Sequence, residues 1–537
     1  MSLHWSQHLI LAPVLLPLLC GTLLILLNES RHQLKFAINF ASVLGLLTAA
    51  ILLMAMTDSG YWQDGIGVYL AANWAAPFGI ALVADRLAAL MLLLTAVLAG
   101  CALLYSMLRW SRIGVHFHSL FQFLLMGING TFLTHDLFNL FVFFEVMLAA
   151  SYGLVLHGYN LNRIRAGMQF IAVNLVASLM FLIGIALIYA TTGTLNMSDL
   201  AQRLADVGEA DMVLLKVGAA VLGIAFLIKS AMWPLGFWLP TTYAAASPPV
   251  AAMFVLMTKV GTYVILRLWL LLFSGDDGAA AGFGANVLLW GGMATIAFGA
   301  VGMLASDKQG KLTGYAAIIS SGTLLAVIGL GQQALVTAGL FYLLSSTLAM
   351  AAFMLLIELI ERSRNPVEAM LALTMEAFEF EETPEQPVGV GMPAALAFLG
   401  LSFACCALVI TGLPPLSGFI AKFSLFHSLL NGDGGNVAPS SLTLMVLMLL
   451  SGLAAIIALM RFGVRTFWAS GAVNARLQIT EVVPVGLLLL LSVVLTVQAE
   501  PIFAYLERIS ADLHRPELYP GRVLAEPVVP GVVDGGK

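Results

Sequence analysis

Charge is what this sequence has least of. Of its 537 residues only 10% are Asp, Glu, Lys or Arg, against 60% hydrophobic. A soluble chain of that length needs more charge to cover its surface, so a soluble fold is excluded. The formal net charge of −5 is small, and nothing suggests nucleic-acid binding. Cysteine is also scarce. Cys20, Cys101, Cys405 and Cys406 all lie inside apolar runs, and none has C-x-x-C spacing. They read as small buried apolar side chains. No ATP-binding, metal-ligand, Fe–S or flavin motif is present, so no cofactor is expected. The N-terminal segment 8–27 has no Lys or Arg ahead of its apolar core. It reads as a first membrane helix rather than a signal peptide.

What the chain does have is long apolar runs. Runs near 8–27, 36–56, 82–107, 118–133, 137–157, 167–190, 213–231, 250–273, 287–304, 311–330, 334–358, 442–460 and 482–499 each suit one membrane crossing. The region 392–430 is too long for one straight helix and is interrupted at the uncharged "GLPPLSG" (Gly412–Gly418). It reads as two half-helices making one crossing. The fold class is therefore an all-α polytopic membrane protein of about 14 transmembrane helices. Lys and Arg fall on alternate connections: Arg31/Lys35, Arg109/Arg112, Arg163/Arg165, Lys308/Lys311, Arg362/Arg364 and Arg461/Arg465. The opposite connections are poor in them: 57–81 has none, 274–286 carries Asp276 and Asp277, and 431–441 carries Asp433. The positive-inside rule then places both termini outside the cytoplasm. Residues 195–212 suggest a short amphipathic helix at the outer surface. The acidic stretch 376–385 reads as a solvated cytoplasmic loop, and the tail "PVVPGVVDGGK" as poorly ordered.

Against this background a charge inside a span stands out, since one at mid-membrane costs about 2.5–3.5 kcal/mol even on lenient insertion scales. Glu145 sits in "FNLFVFFEVMLAA" (Phe138–Ala150), near the middle of the fifth span. Lys229 lies late in the seventh, Lys259 halfway along the eighth, and Lys422 just past the break in the twelfth. Asp85/Arg86 and His135/Asp136 fit ordinary interface placement, and Arg267 fits snorkelling. Pro234 lacks an N–H, and its ring clashes with the Ser230 carbonyl. The seventh span should open there, just beyond Lys229, leaving carbonyls that need water or a cation. Pro414 and Pro415 break the twelfth span ahead of Lys422. One broken helix thus carries its lysine before the proline and the other after it. The two run in opposite directions, the signature of an inverted repeat with an ion path near the midplane. The expected division is 1–117 (spans 1–3), 118–273 (first repeat, spans 4–8), 287–460 (second, inverted repeat, spans 9–13) and 461–537 (span 14 and tail).

At these residues the chain resembles a known family: the antiporter-like subunits shared by Mrp-type (Mnh, Pha) cation/proton antiporters and the membrane arm of respiratory complex I. "FNLFVFFEVM" is similar to the family's helix 5 glutamate motif. "IKSAMWPLGFWLPTTYAAASPPV" matches its helix 7 lysine motif, "KVGTYVILR" the helix 8 lysine, and "GLPPLSGFIAKF" the broken helix 12 with its lysine. The glutamate motif and Lys422 look most like D-type subunits of the Mrp antiporter. The resemblance implies that Glu145 is the acidic partner, Lys229 the central proton-handling group, Lys259 a relay and Lys422 the terminal group. It implies exchange of protons for Na⁺ or K⁺, driven by the proton motive force. The partners it implies are A-, B-, C-, E-, F- and G-type subunits in a bacterial inner membrane, within the lipid bilayer. The alternative is a proton-pumping subunit of a complex I-like or hydrogenase-linked redox complex, and a third reading is a scaffold with silent charges. One departure stands out. The stretch "FYLLSSTLAMAAF" places Ser345, Ser346 and Met350 where the family often has His, His and Lys. Either water held by Ser345, Ser346, Thr347 and nearby Ser320/Ser321 bridges Lys259 to Lys422, or the route is interrupted there.

Overall fold

The computed structural model describes residues 5–158, 161–204, 207–273, 281–363, 394–431, 437–467 and 477–528. The expectations for Asp276/Asp277, Arg364, the acidic stretch 376–385, Asp433 and most of the tail lie outside the described residues. Among the described residues, twelve helices are long and apolar enough to cross a membrane. After a single helical turn at Trp5–His8, the helices in chain order are α1 (Ala12–Leu26), α2 (His32–Asp58), α3 (Arg86–Ser106), α4 (Phe117–Leu133), α5 (Leu137–Leu156), α6 (Leu161–Thr192) and the short α7 (Met197–Arg203). The seventh span is α8 (Glu209–Lys229) followed by α9 (Leu239–Ala245). Next come α10 (Pro248–Phe273), α11 (Ala285–Ala305), α12 (Gln309–Leu330) and α13 (Gln333–Ser363). The twelfth span is α14 (Ala394–Thr411) and α15 (Ser417–Leu430), then α16 (Pro439–Phe467) and α17 (Ile479–Val497). After α17 the chain forms α18 (Ala499–Leu513) and α19 (Leu518–Val523). Both expected breaks are present.

The helices sort by what surrounds them. α3, α10, α12 and α13 are almost wholly enclosed by the rest of the chain, whereas α6, α14 and α17 keep broad apolar faces open. In lipid, apolar surface gives no reason to pack inward, so small residues and polar groups decide which helices are central. α11 and α12 meet through glycine: a Cβ on Gly292 would lie 2.6 Å from the Ala326 amide nitrogen. α6 and α8 meet the same way, at Gly184 against Leu222. The enclosed helices α10, α12 and α13 carry Lys259, Ser320 and Ser346.

The two ends of the bundle differ in charge. At one end Lys35 pairs with Glu29 at 2.9 Å, Arg109 with Glu358 at 3.3 Å and Arg362 with Glu481 at 2.6 Å. Arg163 donates to the Ala245 carbonyl at 2.9 Å, and Arg465 pairs with Asp307 at 3.1 Å. Most of the alternate basic connections are thus tied down by carboxylates and helix-end carbonyls.

The other end corrects several expectations. The connection 57–81 contains a strand, Gly67–Leu70 (β1), paired antiparallel with Ala81–Ala84 (β2). The third helix starts only after β2, because the Asp85 side chain caps it by accepting from the Ala88 amide at 2.8 Å. Asp85 and Arg267 are both buried within the chain and joined by two bonds of 2.8 Å, with Tyr519 donating to the same carboxylate at 2.7 Å. Arg267 does not snorkel because a carboxylate meets it inside the protein. His135 is buried against Ser198 at 2.8 Å and stacks on Tyr519. The segment 195–212 is not one surface helix. Asn196 caps α7, whose Met197, Ser198, Asp199 and Leu200 are buried, and residues from Glu209 on already belong to α8.

Removing one member of a buried ion pair strands the other. Arg267→Met should lower the thermal unfolding temperature of the full chain in detergent, by a loss of about 3–5 kcal/mol. The double replacement Asp85→Asn/Arg267→Met, which keeps an acceptor for the Ala88 amide and for Tyr519, should recover most of it. Equal destabilisation in single and double variants would count against the pairing.

Candidate functional site

α8 ends at Lys229, and the chain then turns sharply. Ala231 takes the left-handed backbone conformation, with φ of +56°, and the Trp233–Pro234 bond is cis. Three carbonyls at the end of α8 find donors in the turn. Phe226 accepts from the Ser230 amide at 2.8 Å, Leu227 from the Met232 amide at 3.0 Å, and Ile228 from the Trp238 indole at 3.2 Å. The Lys229 ammonium has no hydrogen-bond acceptor among the described residues. It lies over the Phe144 ring, 5.0 Å from the centroid. It borders a cavity shared with Asn174, Trp238, Tyr243 and Thr258.

Glu145 is one residue beyond Phe144 on α5, half-buried, and accepts a hydrogen bond from Ser178 of α6. It is near enough for its charge to act on Lys229, although the two are not in ion-pair contact. α10 passes so close to the break that a Cβ on Gly261 would lie 2.7 Å from Ser230 Oγ. Thr258, on the wall of the Lys229 cavity, adjoins Lys259 in sequence.

Lys259 is fully buried, and its Nζ donates to Ser320 Oγ at 2.6 Å. Ser320 Oγ is 3.0 Å from Ser346 Oγ on α13. Ser320 and Ser346 both border a cavity with Tyr342, Ser345, Ser451 and Lys422. Two hydroxyls thus reach from Lys259 to the wall of a cavity that Lys422 also borders. Two residues named with them in the sequence reading behave differently. Thr347 turns back onto its own helix, donating to the Leu343 carbonyl at 2.6 Å. Ser345 lines the cavity but bonds to Ser417 at 2.8 Å, which in turn contacts Ser492 at 2.7 Å. Met350 forms part of the cavity wall.

At the second break Pro414 and Pro415 are joined by a cis bond, and Gly412 has φ of +79°. Here a freed carbonyl does take the cation: Lys422 Nζ donates to Thr411 O at 2.7 Å. Ser178, Ser417, Ser451, Ser492 and Tyr342 escaped the sequence reading. Their only signal is a small polar residue on an otherwise apolar helix, a pattern too common in membrane helices to single them out.

Residues 134–448, more than half of the chain, match the family described as NADH:quinone oxidoreductase/Mrp antiporter, TM. The D-type subunit of a probable K⁺/H⁺ antiporter from Rhizobium meliloti is 52% identical over 532 residues, covering 97% of this chain and 98% of the relative. The D-type subunit of a Na⁺/H⁺ antiporter from Bacillus subtilis is 31% identical over 527 residues, covering 97% and 100%. Among solved structures, a chain of the Mrp complex from Dietzia superposes with a TM-score of 0.82 at 25% identity, over 98% of this chain and 100% of that one. The chain belongs to the NADH:quinone oxidoreductase/Mrp antiporter family of transmembrane proteins, and within it to the D-type subunits of Mrp antiporters.

Proposed function

We propose that this chain is the proton-translocating subunit of a multisubunit antiporter that exchanges Na⁺ or K⁺ for protons at the expense of the proton motive force. It assembles with A-, B-, C-, E-, F- and G-type subunits in a bacterial inner membrane. Both termini face away from the cytoplasm, a reading supported by the clustering of Lys and Arg at the opposite end of the bundle. The division into a first repeat (118–273) and a second, inverted one (287–460) is part of the same proposal. The observation that carries it is the line of polar contacts from Lys259 through Ser320 and Ser346 to the cavity bordered by Lys422.

The roles follow from the chemistry of each group. Burial penalises the charged form of an amine, and a nearby carboxylate offsets that penalty. Lys229 has no acceptor among the described residues and lies over the Phe144 ring, one residue from Glu145. When Glu145 approaches, Lys229 keeps its proton; when Glu145 is screened by Ser178 or neutralised, Lys229 gives it up toward Lys259. Lys259 passes it to Ser320, whose hydroxyl both accepts and donates. Ser346 and water in the adjoining cavity carry it to Lys422. The relatives are named as antiporters, and no specific observation favours coupling to a redox reaction.

Glu145→Ala and Lys229→Ala should each reduce cation/proton exchange in everted vesicles to background while the complex still assembles. Wild-type rates in either variant would exclude the mechanism. Ser346→Ala removes one hydroxyl from the line and should slow exchange about tenfold, the worth of a single polar contact in the barrier. Gly412→Ala tests the far end. Its Cβ would lie 2.4 Å from Lys422 Cδ, and the left-handed backbone disfavours a side chain. Exchange should fall without loss of Glu145 or Lys229. Unchanged rates would mean that the Lys422 position is immaterial.

A further inference from the structure

The second helix break is held by a cluster of hydroxyls that the line from Lys259 to Lys422 does not use. Ser417 opens α15 just after the two prolines, and Leu416 before it offers no side-chain cap. The Ser417 hydroxyl turns sideways instead. It lies 2.8 Å from Ser345 Oγ of α13 and 2.7 Å from Ser492 Oγ of α17. All three side chains are buried. α17 is itself fastened to α13 near its start, where Glu481 accepts from both ends of the Arg362 guanidinium at 2.7 and 2.6 Å. It is therefore a fixed support for the start of α15. On the other side, Gly418 leaves no room for a Cβ against the Val409 carbonyl at the end of α14.

What this cluster controls lies next to it. Lys422 follows Ser417 by five residues, about 7.5 Å along the helix. The cavity that Ser346 borders is also bordered by Ser345, Gly418 and Lys422. Its volume is about 20 Å³, room for a single water. One water joins Ser346 to Lys422 only while α13 and α15 keep their separation. Ser345 is the neighbour of Ser346 on α13, and Ser417 the neighbour of Gly418 on α15, so the Ser345–Ser417 contact sets that separation at the wall of the cavity. Apolar packing does not set it. Phe419 and Phe423 leave the outer face of α15 exposed, and in lipid polar contacts and close packing decide where a helix sits. Ser492 lies beyond residues 134–448, the part of the chain that carries the family match.

We propose that Ser417 and Ser492 are positioning residues for Lys422. With Ser345 they hold the start of α15 at the distance from α13 that leaves one water between Ser346 and Lys422. Neither touches the moving proton; Ser492 acts through Ser417, and Ser417 through the placement of α15. The inference rests on the serine relay proposed above.

The test measures exchange of Na⁺ or K⁺ for protons by the assembled antiporter complex in proteoliposomes. Ser492→Ala removes one hydroxyl contact between helices and should slow exchange about threefold; Ser417→Ala removes two and should slow it about tenfold. Ser492→Thr keeps the hydroxyl and should regain most of the rate. A wild-type rate in Ser492→Ala overturns the proposal, and so does a threonine complex as slow as the alanine one. Gly412→Ala supplies a readout that general weakening of the bundle would not move. Its Cβ displaces Lys422 by itself, so adding Ser492→Ala to it should slow exchange little further. A second full threefold loss places the action of Ser492 elsewhere and also overturns the proposal. Failure of the relay itself shows differently, as a Ser346→Ala or Lys422→Ala complex exchanging at the wild-type rate.

Discussion

An ammonium group in a membrane interior must find oxygen, or a nearby negative charge, or give up its proton. This chain resolves that constraint in three ways along one line. Lys422 takes a backbone carbonyl exposed by a broken helix, and Lys259 takes a hydroxyl. Lys229 has neither, only an aromatic face and the charge of Glu145. The enclosure of α10, α12 and α13, the two helix breaks and the serine-lined cavity all serve these three groups. The order is also one of decreasing freedom. The least satisfied amine lies next to the acid and the most firmly held lies at the end.

The two breaks look alike in sequence, each a proline near a lysine, yet they end in different chemistry. After Lys229 the turn folds back, so amides and the Trp238 indole reach the Phe226, Leu227 and Ile228 carbonyls. After Thr411 the chain passes through two prolines, which have no amide hydrogen to offer. The Thr411 carbonyl is left for a side chain, and Lys422, in the second turn of α15, reaches back to it.

Much of this was legible in the sequence for a single reason. Charges in apolar runs are rare enough to be read one by one, and Glu145, Lys229, Lys259 and Lys422 announced themselves in this way. The helix breaks were legible because proline has a local and unavoidable consequence. What stayed hidden involves partners distant in sequence. Arg267 reads as a snorkelling side chain until Asp85 and Tyr519, far away on the chain, are seen to meet it. The ribbon of β1 and β2 lay in a connection judged only by its lack of Lys and Arg. Ser345 and Ser346 drew attention through the histidines they replace. Which of them faces Ser320 is set by the rotation of α13, which no local pattern fixes.

Replacing histidine by serine changes what the middle of the line can do. An imidazole can store a proton; a hydroxyl at ordinary pH cannot, and only accepts one proton as it donates another. In the proposed relay a proton entering Ser320 from Lys259 would therefore leave from Ser346 into the cavity within the same event. Each passage also leaves both hydroxyls pointing the wrong way, and they must turn before the next. On the relay proposed above, storage would be confined to the lysines, with Lys259 and Lys422 as the two banks and the serines as a bridge that holds nothing. Such a bridge is sensitive to geometry: a few tenths of an ångström between α12 and α13 separates a contact of 3.0 Å from none.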